Sequence, residues 1–422
     1  MIKLLMISYY WPPLGGPGAI RPVKFAKYLP RFGFEPIVIT RRAIAYHSLD
    51  GSLGRETEQV RTIRTESLDP ARIFYFAGMR LYRPRPWHVP VKKALNFPDS
   101  KLPWIPFAYQ AGLKVDFDVI FVTAPPFSSF ITGYLLAKKT GKPLVLDFRD
   151  AWLEFPFLRY DTKAEKKFVS YWEEKVCRSA DLIVVVDENI RDALTAKYSG
   201  QRPKIHVIPN GYDPDDFAAA ALPETFTISY LGTVRKERNP QNFLKSVDEL
   251  IREKRLSNAD IRLKFIGHIE EHYLDLIRPY GFAKCLGHLN YREALREFSS
   301  AHATLMITTG DEYFFPSRQN EYLAAGLPII VCGRSSGMHR LESAFSRGYP
   351  GWIFDYDDRS GLKQKIMDLY GRFKKHEITR QEMPFKEYTR QNLTGKLCDL
   401  IKKKACRQNN TAVQAGSRSK EQ

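Results

Sequence analysis

The chain has 422 residues, 65 Lys and Arg against 47 Asp and Glu, and a formal net charge of +18. At roughly 100–200 residues per domain this length predicts two or three domains, and 44% hydrophobic residues exclude a wholly disordered chain. The charge is uneven: residues 1–212 carry 32 basic and 20 acidic side chains, residues 213–401 carry 27 and 26, and residues 402–422 carry 6 and 1. Such a surplus attracts nucleic acid, an anionic membrane surface or phosphorylated ligands.

In chain order, apolar β-rich runs alternate with amphipathic stretches. Strands are predicted at Ile2–Ile7, Pro36–Ile39, Asp118–Val122, Leu144–Asp147, Leu182–Val186 and Ile205–Ile208, with helices at Ala19–Arg31, Phe127–Lys139, Thr162–Ser179 and Asn189–Lys197. The second half repeats the scheme. Strands are predicted at Thr227–Leu231, Arg262–Ile266, Thr304–Ile307, Pro328–Val331 and Trp352–Phe354, and helices at Pro240–Lys254, Tyr291–Ser300, Ser317–Ala325 and Ser360–Arg372. Short continuous apolar strands separated by helices predict parallel sheets covered on both faces.

The expected fold class is therefore α/β, with two doubly wound Rossmann-like domains and ligands in a cleft at the carboxyl ends of the strands. The turn-rich connector Val207–Phe217 sets the boundary: 1–212 as an acceptor-side domain and 213–385 as a donor-binding domain. A helix over 386–403 is expected to pack back on the first domain, and 404–422 reads as a disordered basic tail. The five cysteines form no C-x-x-C or Cys/His cluster, so neither a metal site nor a disulfide framework is expected. The opening apolar run is too short for a signal peptide, and no segment approaches about 18 apolar residues. The expectation is a cytoplasmic protein, at most peripheral on the inner face of a membrane.

Three segments carry chemistry. The first strand runs into Ser8-Tyr-Tyr-Trp-Pro-Pro-Leu-Gly-Gly-Pro-Gly18, where glycines before a helix let backbone N–H groups approach an anion. It is not G-x-G-x-x-G, which weakens a dinucleotide reading; a tight turn without ligand is the alternative. The second half opens with Tyr230-Leu-Gly-Thr-Val-Arg-Lys-Glu-Arg-Asn239, placing Arg235, Lys236 and Arg238 at a strand end before a helix, a pattern suited to a diphosphate or to a solvated loop. In Phe314–Val331, Arg318 and Glu321 stand three apart at a helix start capped by Ser317. A carboxylate there can accept from a vicinal diol and an arginine can hold a phosphate, or the two can form a plain salt bridge.

The stretch Pro316-Ser-Arg-x-x-Glu-Tyr-Leu-Ala-Ala-Gly-x-Pro-Ile-Ile330 resembles the donor-binding signature of family 4 glycosyltransferases of the GT-B fold. Trp11–Gly18 is similar to the family's glycine loop, Ile208–Phe217 to its interdomain hinge, and Tyr230–Thr233 to the start of its second domain. The resemblance implies a nucleotide-sugar donor bound mainly by the second domain and an acceptor bound mainly by the first. It implies Glu321 on the ribose hydroxyls, Arg238 on the diphosphate, and Gly15 and Gly16 near the diphosphate and the acceptor. It also implies retention of configuration with neither metal ion nor cofactor. The chain departs from the pattern where Thr233 replaces an arginine, with Arg235 or Lys236 as substitutes. Tyr313, or Glu312 beside it, stands where a first glutamate belongs. An N-domain histidine has no counterpart, and Asp147-Phe-Arg-Asp-Ala-Trp152 offers instead Arg149 and Asp150 as acceptor-side groups. Asp150 is a candidate base or orienter for the attacking hydroxyl, with capping or ion pairing as the alternative for both.

Residues 71–97 contain Arg72, Arg80, Arg83, Arg85, Lys92 and Lys93 and no acid, interleaved with Phe74, Tyr75, Phe76, Tyr82 and Trp87. This composition suits an anionic leaflet; no nucleic-acid-binding signature accompanies it, and buried aromatics under solvated cations are the alternative. The expected function is transfer of a sugar from a nucleotide-sugar donor to a saccharide or lipid-linked acceptor, in cell-surface polysaccharide synthesis. A nucleotide-sugar epimerase or hydrolase of the same fold, and a non-enzymatic basic membrane-surface protein, are the rivals.

Overall fold

The computed structural model describes residues 1–44, 49–76, 78, 99–153, 160, 162–198, 205–217, 221–308, 318–335 and 337–418; for 71, 74 and 405–418 it describes the backbone alone. The chain divides into two compact units: Met1–Asn210 with Arg390–Gln422, and Gly211–Thr389.

The first unit is built on seven strands: β1 (Ile2–Ile7), β2 (Phe34–Arg41), β3 (Arg61–Thr65), β4 (Val119–Ala124), β5 (Leu144–Phe148), β6 (Leu182–Val185) and β7 (Ile205–Val207). They pair in the order β3-β2-β1-β4-β5-β6-β7, all parallel. The central strands bury every side chain from Leu4 to Ile7 and from Val119 to Ala124. This is why they read as continuous apolar runs. Helix Lys163–Ser179 begins where the sequence places it, because Thr162 and Glu165 form a reciprocal capping box.

The second unit repeats the plan with β8 (Phe226–Leu231), β9 (Ile261–Ile266), β10 (Ala283–Gly287), β11 (Ala303–Ile307), β12 (Ile329–Cys332) and β13 (Gly351–Phe354), ordered β10-β9-β8-β11-β12-β13 and parallel throughout. Both units are thus doubly wound, with the strand order reversing between β1 and β4 and between β8 and β11. Ligands of such sheets bind beyond the carboxyl ends at these switch points.

Two strands escape the sequence reading, β3 and β10, and both lie at a sheet edge. An edge strand is covered less completely, so β3 reads Arg-Thr-Ile-Arg-Thr and carries no continuous apolar run. The helices at Gly51–Arg55, Pro70–Phe76, Ile105–Gly112, Glu271–Ile277 and His339–Ser346 were likewise not foreseen. The unit boundary falls after Asn210 rather than at 212, and the chain re-enters the first unit at Arg390 rather than 386. The last helix runs Arg390–Arg418, so the segment expected to be a disordered tail is helical up to that point. Leu393, Leu397 and Ile401, four apart, are buried on one face of that helix. They pack within the first unit beside helix Pro17–Tyr28, and Gly395 lets the helix approach Phe32: a Cβ there would lie 3.0 Å from the ring.

Candidate functional site

In the first unit the loop after β1 ends at Gly16, whose φ of +92° places it in the region glycine favours, directly before helix Pro17–Tyr28. A Cβ at Gly16 would meet nothing within 4 Å, so the backbone angle alone demands glycine there. Gly15 lies half-buried beside it. Arg149, one residue past β5, ties this loop to the neighbouring strand: its guanidinium donates to the carbonyls of Gly18 and Pro125 and, at 3.1 Å, of Ala124. It is therefore engaged on backbone, as a group that positions the glycine loop.

Asp150, half-buried beside it, makes no hydrogen bond among the described residues. Burial pushes its carboxyl from 3.8 up to about 6; Arg149 opposes the shift and Asp187 adds to it. A carboxyl that titrates just below neutrality suits proton transfer. Its neighbour Asp147 has another task. Fully buried, it holds Arg21 at 2.8 Å and accepts from Thr123 at 2.8 Å, while Arg21 donates to the carbonyls of Ile208 and Pro209. That ion pair locks β4, β5, helix Pro17–Tyr28 and the start of the connector into one piece.

In the second unit, β8 ends at Tyr230-Leu-Gly-Thr. The Tyr230 hydroxyl donates to the Thr233 carbonyl at 2.9 Å. Burial raises its pKa to about 12 against the opposing field of three cations, Arg238, Arg318 and Arg235. Arg235 and Arg238 follow β8, and Arg318 precedes the short helix Gln319–Ala324 after β11. The fold thus gathers at one strand end three arginines that stand up to 83 positions apart in the chain. A Cβ at Gly232 would lie 3.1 Å from the Tyr230 hydroxyl and 3.6 Å from Arg238 Nη1, so glycine keeps this strand end clear of a side chain. Arg235 also faces Glu237 at 3.1 Å. Lys236 is exposed and is not among the groups acting on Tyr230.

Glu321 is only 7% exposed. It shares the first turn of its helix with Gln319, Asn320 and Tyr322, all buried. Tyr322 donates to the Leu305 carbonyl at 2.7 Å and accepts from the Leu231 N–H at 3.1 Å, pinning the helix across the β8–β11 switch point. Gln319 donates to the Gly337 carbonyl and Arg340 to Asn320. Four successive buried polar side chains stand on this short helix, and burying polar groups is costly unless each is satisfied. Tyr230, Tyr322, Asp147 and Arg21 were not singled out from sequence. Their buried partners come from distant segments, so no local spacing reveals them. Ser317, Glu312 and Tyr313 lie outside the described residues, as do the insert cations Arg80, Arg83, Arg85, Lys92 and Lys93. Arg72 departs from the expectation of a surface cation: it is buried, pairs with Glu66 and lies over the Phe76 ring.

These features define a two-unit α/β protein of the GT-B fold, with three arginines near the carboxyl end of β8 in the second sheet. Residues 23–216 match the family model described as Glycosyltransferase Family 4. Among solved structures, Anabaena Alr3699/HepE in complex with UDP and glucose aligns with a TM-score of 0.55 at 13% identity, covering 98% of this chain and 100% of that one. A Listeria monocytogenes protein assigned as a UDP-N-acetylglucosamine 2-epimerase gives 0.56 at 14%, covering 95% and 96%. The S. aureus MnaA–UDP structure gives 0.52 at 15%, again covering 95% and 96%. At these identities the likeness is one of fold. No curated protein matches the chain in sequence. Among the described residues no helix is long and apolar enough to cross a membrane.

Proposed function

We propose that the chain is a metal-independent, retaining glycosyltransferase of the hexosyl-transferring type that takes a nucleotide-sugar donor. The observation that carries this reading is the gathering of Arg235, Arg238 and Arg318 around Tyr230 at the end of β8, one helical turn from buried Glu321. In this reading Arg238 and Arg318 hold the diphosphate and Glu321 accepts from the ribose hydroxyls. The UDP and UDP-glucose bound by the Anabaena structures lend the donor class support.

As the bond from the sugar's anomeric carbon to the diphosphate breaks, negative charge grows on the departing oxygens. Fixed guanidinium groups stabilise that charge without reorganising. They do so where another enzyme would use a divalent ion, which is why no metal or cofactor enters the reading. The acceptor hydroxyl forms the new bond, with Asp150 orienting it or taking its proton. Gly15 and Gly16 approach the diphosphate and the acceptor through backbone N–H groups, and Arg149 holds their loop. The acceptor is a saccharide or a lipid-linked saccharide of a surface polysaccharide. Leu68, Ile73 and Phe76, exposed where the basic–aromatic insert begins, favour a membrane-held acceptor and peripheral attachment to the inner face of the cell membrane.

Calorimetric titration with a set of nucleotide sugars tests the donor class. One donor should bind saturably, and Glu321→Ala should weaken it and reduce transfer by about 10²–10³-fold while the protein stays folded. Unchanged transfer would remove Glu321 from the site. Consumption of donor with no acceptor present, giving an epimerised or hydrolysed product as the sole product, would favour the epimerase or hydrolase reading instead.

A further inference from the structure

Helix Lys163–Ser179, which follows the β5 end, buries one stripe of side chains, Val169, Glu173, Val176 and Cys177. Away from that stripe Lys163, Lys167, Tyr171 and Lys175 stand four apart in one row, with Phe168 and Trp172 in the next. Phe168 is 37% and Tyr171 53% exposed, so two large aromatic side chains one helical turn apart face solvent together. Lys175 donates to the Tyr171 hydroxyl. Its ammonium lies 4.8 Å from the centre of the Tyr171 ring, 5.5 Å from that of Trp172 and 5.7 Å from that of Tyr134 in helix Ser128–Thr140. Trp172 stands edge-on to Tyr171 at 5.6 Å and to Tyr134 at 6.1 Å. None of the helix's three acids answers Lys163 or Lys167. Glu165 closes the capping box, Glu173 is buried against Lys197, and Glu174 pairs with Arg178 at 2.7 Å. Lys163 and Lys167 are exposed and form no ion pair among the described residues.

We propose that this face of the helix docks on an anionic lipid leaflet, with Phe168, Tyr171 and Trp172 in the headgroup layer and Lys163, Lys167 and Lys175 on lipid phosphates. Tyrosine and tryptophan pair an apolar ring with a polar edge, which suits the boundary between acyl chains and water. Lysines lay their stems along such rings while the ammonium reaches for a charged surface, and anionic lipid supplies the charge that Lys163 and Lys167 lack. A protein interface would exclude charge from its centre, whereas here Lys175 stands among the rings. A helix joining two parallel strands starts at the carboxyl end of the sheet. The first turns, with Lys163, Lys167 and Phe168, therefore lie toward the sheet end that carries Asp150. The inference deepens the membrane-held acceptor of the proposed function and rests on that reading for its purpose, while its evidence is the helix face.

The test is co-sedimentation of the full chain with vesicles of mixed phosphatidylglycerol and phosphatidylcholine, and with phosphatidylcholine alone. Donor binding is read separately by calorimetry without vesicles, so failure here leaves the transferase reading standing. The chain should bind the mixed vesicles and release them as salt rises. Lys163→Glu with Lys167→Glu should weaken binding by about tenfold or more. Phe168→Ser with Tyr171→Ser, which leaves the charge unchanged, should weaken it comparably. Lys245→Glu with Lys375→Glu, the same charge change on exposed lysines of the second unit, should alter it by less than about twofold. Thermal unfolding confirms that each variant is folded. Equal loss in the Lys245/Lys375 variant would reduce the effect to net charge and overturn the proposal. So would an unaffected Phe168/Tyr171 variant, or equal binding to phosphatidylcholine alone. Loss in Ile73→Ser with Phe76→Ser, with both helix variants binding normally, would move the docking surface to the insert. Absence of vesicle binding would also overturn the proposal, in favour of a contact between copies if the wild type self-associates and the Phe168/Tyr171 variant does not.

Discussion

At the scale of single residues, neighbours in the chain have opposite fates. Asp147 and Asp150 lie three apart, yet the first is sealed into an ion pair and the second is left poised near neutral pH. Removing one partner of a buried pair strands the other charge, so Asp147→Ala should destabilise the protein by about 3–5 kcal/mol in chemical denaturation. Asp150 behaves in the opposite sense. Its folded-state pKa, about 6, lies above the ordinary 3.8, so the native state binds the proton more tightly than the unfolded chain does. Its carboxyl favours folding most below the ordinary range, and that contribution is lost as pH rises through about 6. Asp150→Asn should therefore raise the melting temperature at pH 7.5. The same substitution should lower transfer by about 10²–10⁴-fold if Asp150 moves the acceptor proton. In the wild type, kcat/KM should fall as pH drops below about 6. A variant stabilised but fully active would leave Asp150 a purely structural group.

Among elements, the central strands are legible because both faces are covered, and the half-buried edge strands β7 and β13 are legible because their short runs stay largely apolar. Burial of the central strands forces continuous apolar runs, while the other two edge strands, β3 and β10, mix in polar residues and blur into loops. The helix Gln319–Ala324 shows the converse: its sequence announces a helix start, but only contacts to Leu231, Leu305 and Gly337 show how it is held. Backbone approach matters as much at the end of β9, where Gly267 has φ +128° and a Cβ would sit 2.3 Å from the Gly232 carbonyl. Gly267→Ala should push the β8 end away from its place, cost about 1–3 kcal/mol, and weaken nucleotide-sugar binding with it. A loss of stability with donor affinity intact, read by thermal shift and calorimetry, would separate the β8 end from the donor site.

For the whole molecule, the chain's two passages through the first unit matter most. Helix Arg390–Arg418 belongs to that unit, its apolar face set beside helix Pro17–Tyr28. A chain ending at Thr389 should lose hydrogen-exchange protection over residues 17–32, while protection in β8–β13 is retained. Equal loss in both units would show that the helix stabilises more than the unit it packs in. The charge surplus also resolves. Some of the first unit's cations are spent on structure, as Arg21, Arg149 and Arg72 are.

The sequence by itself determined the alternation of strand and helix, the division near residue 210, and the motifs Trp11–Gly18, Tyr230–Thr233 and Pro316–Ile330. Each of these is local, set by burial period, turn chemistry or a short spacing. Only the tertiary structure decided that Arg235, Arg238 and Arg318 converge on one tyrosine, and that Arg149 is spent on carbonyls while Asp150 is not. Those outcomes depend on which distant segments meet at a strand end, and parallel sheets bring together residues whose separation along the chain leaves no periodic trace.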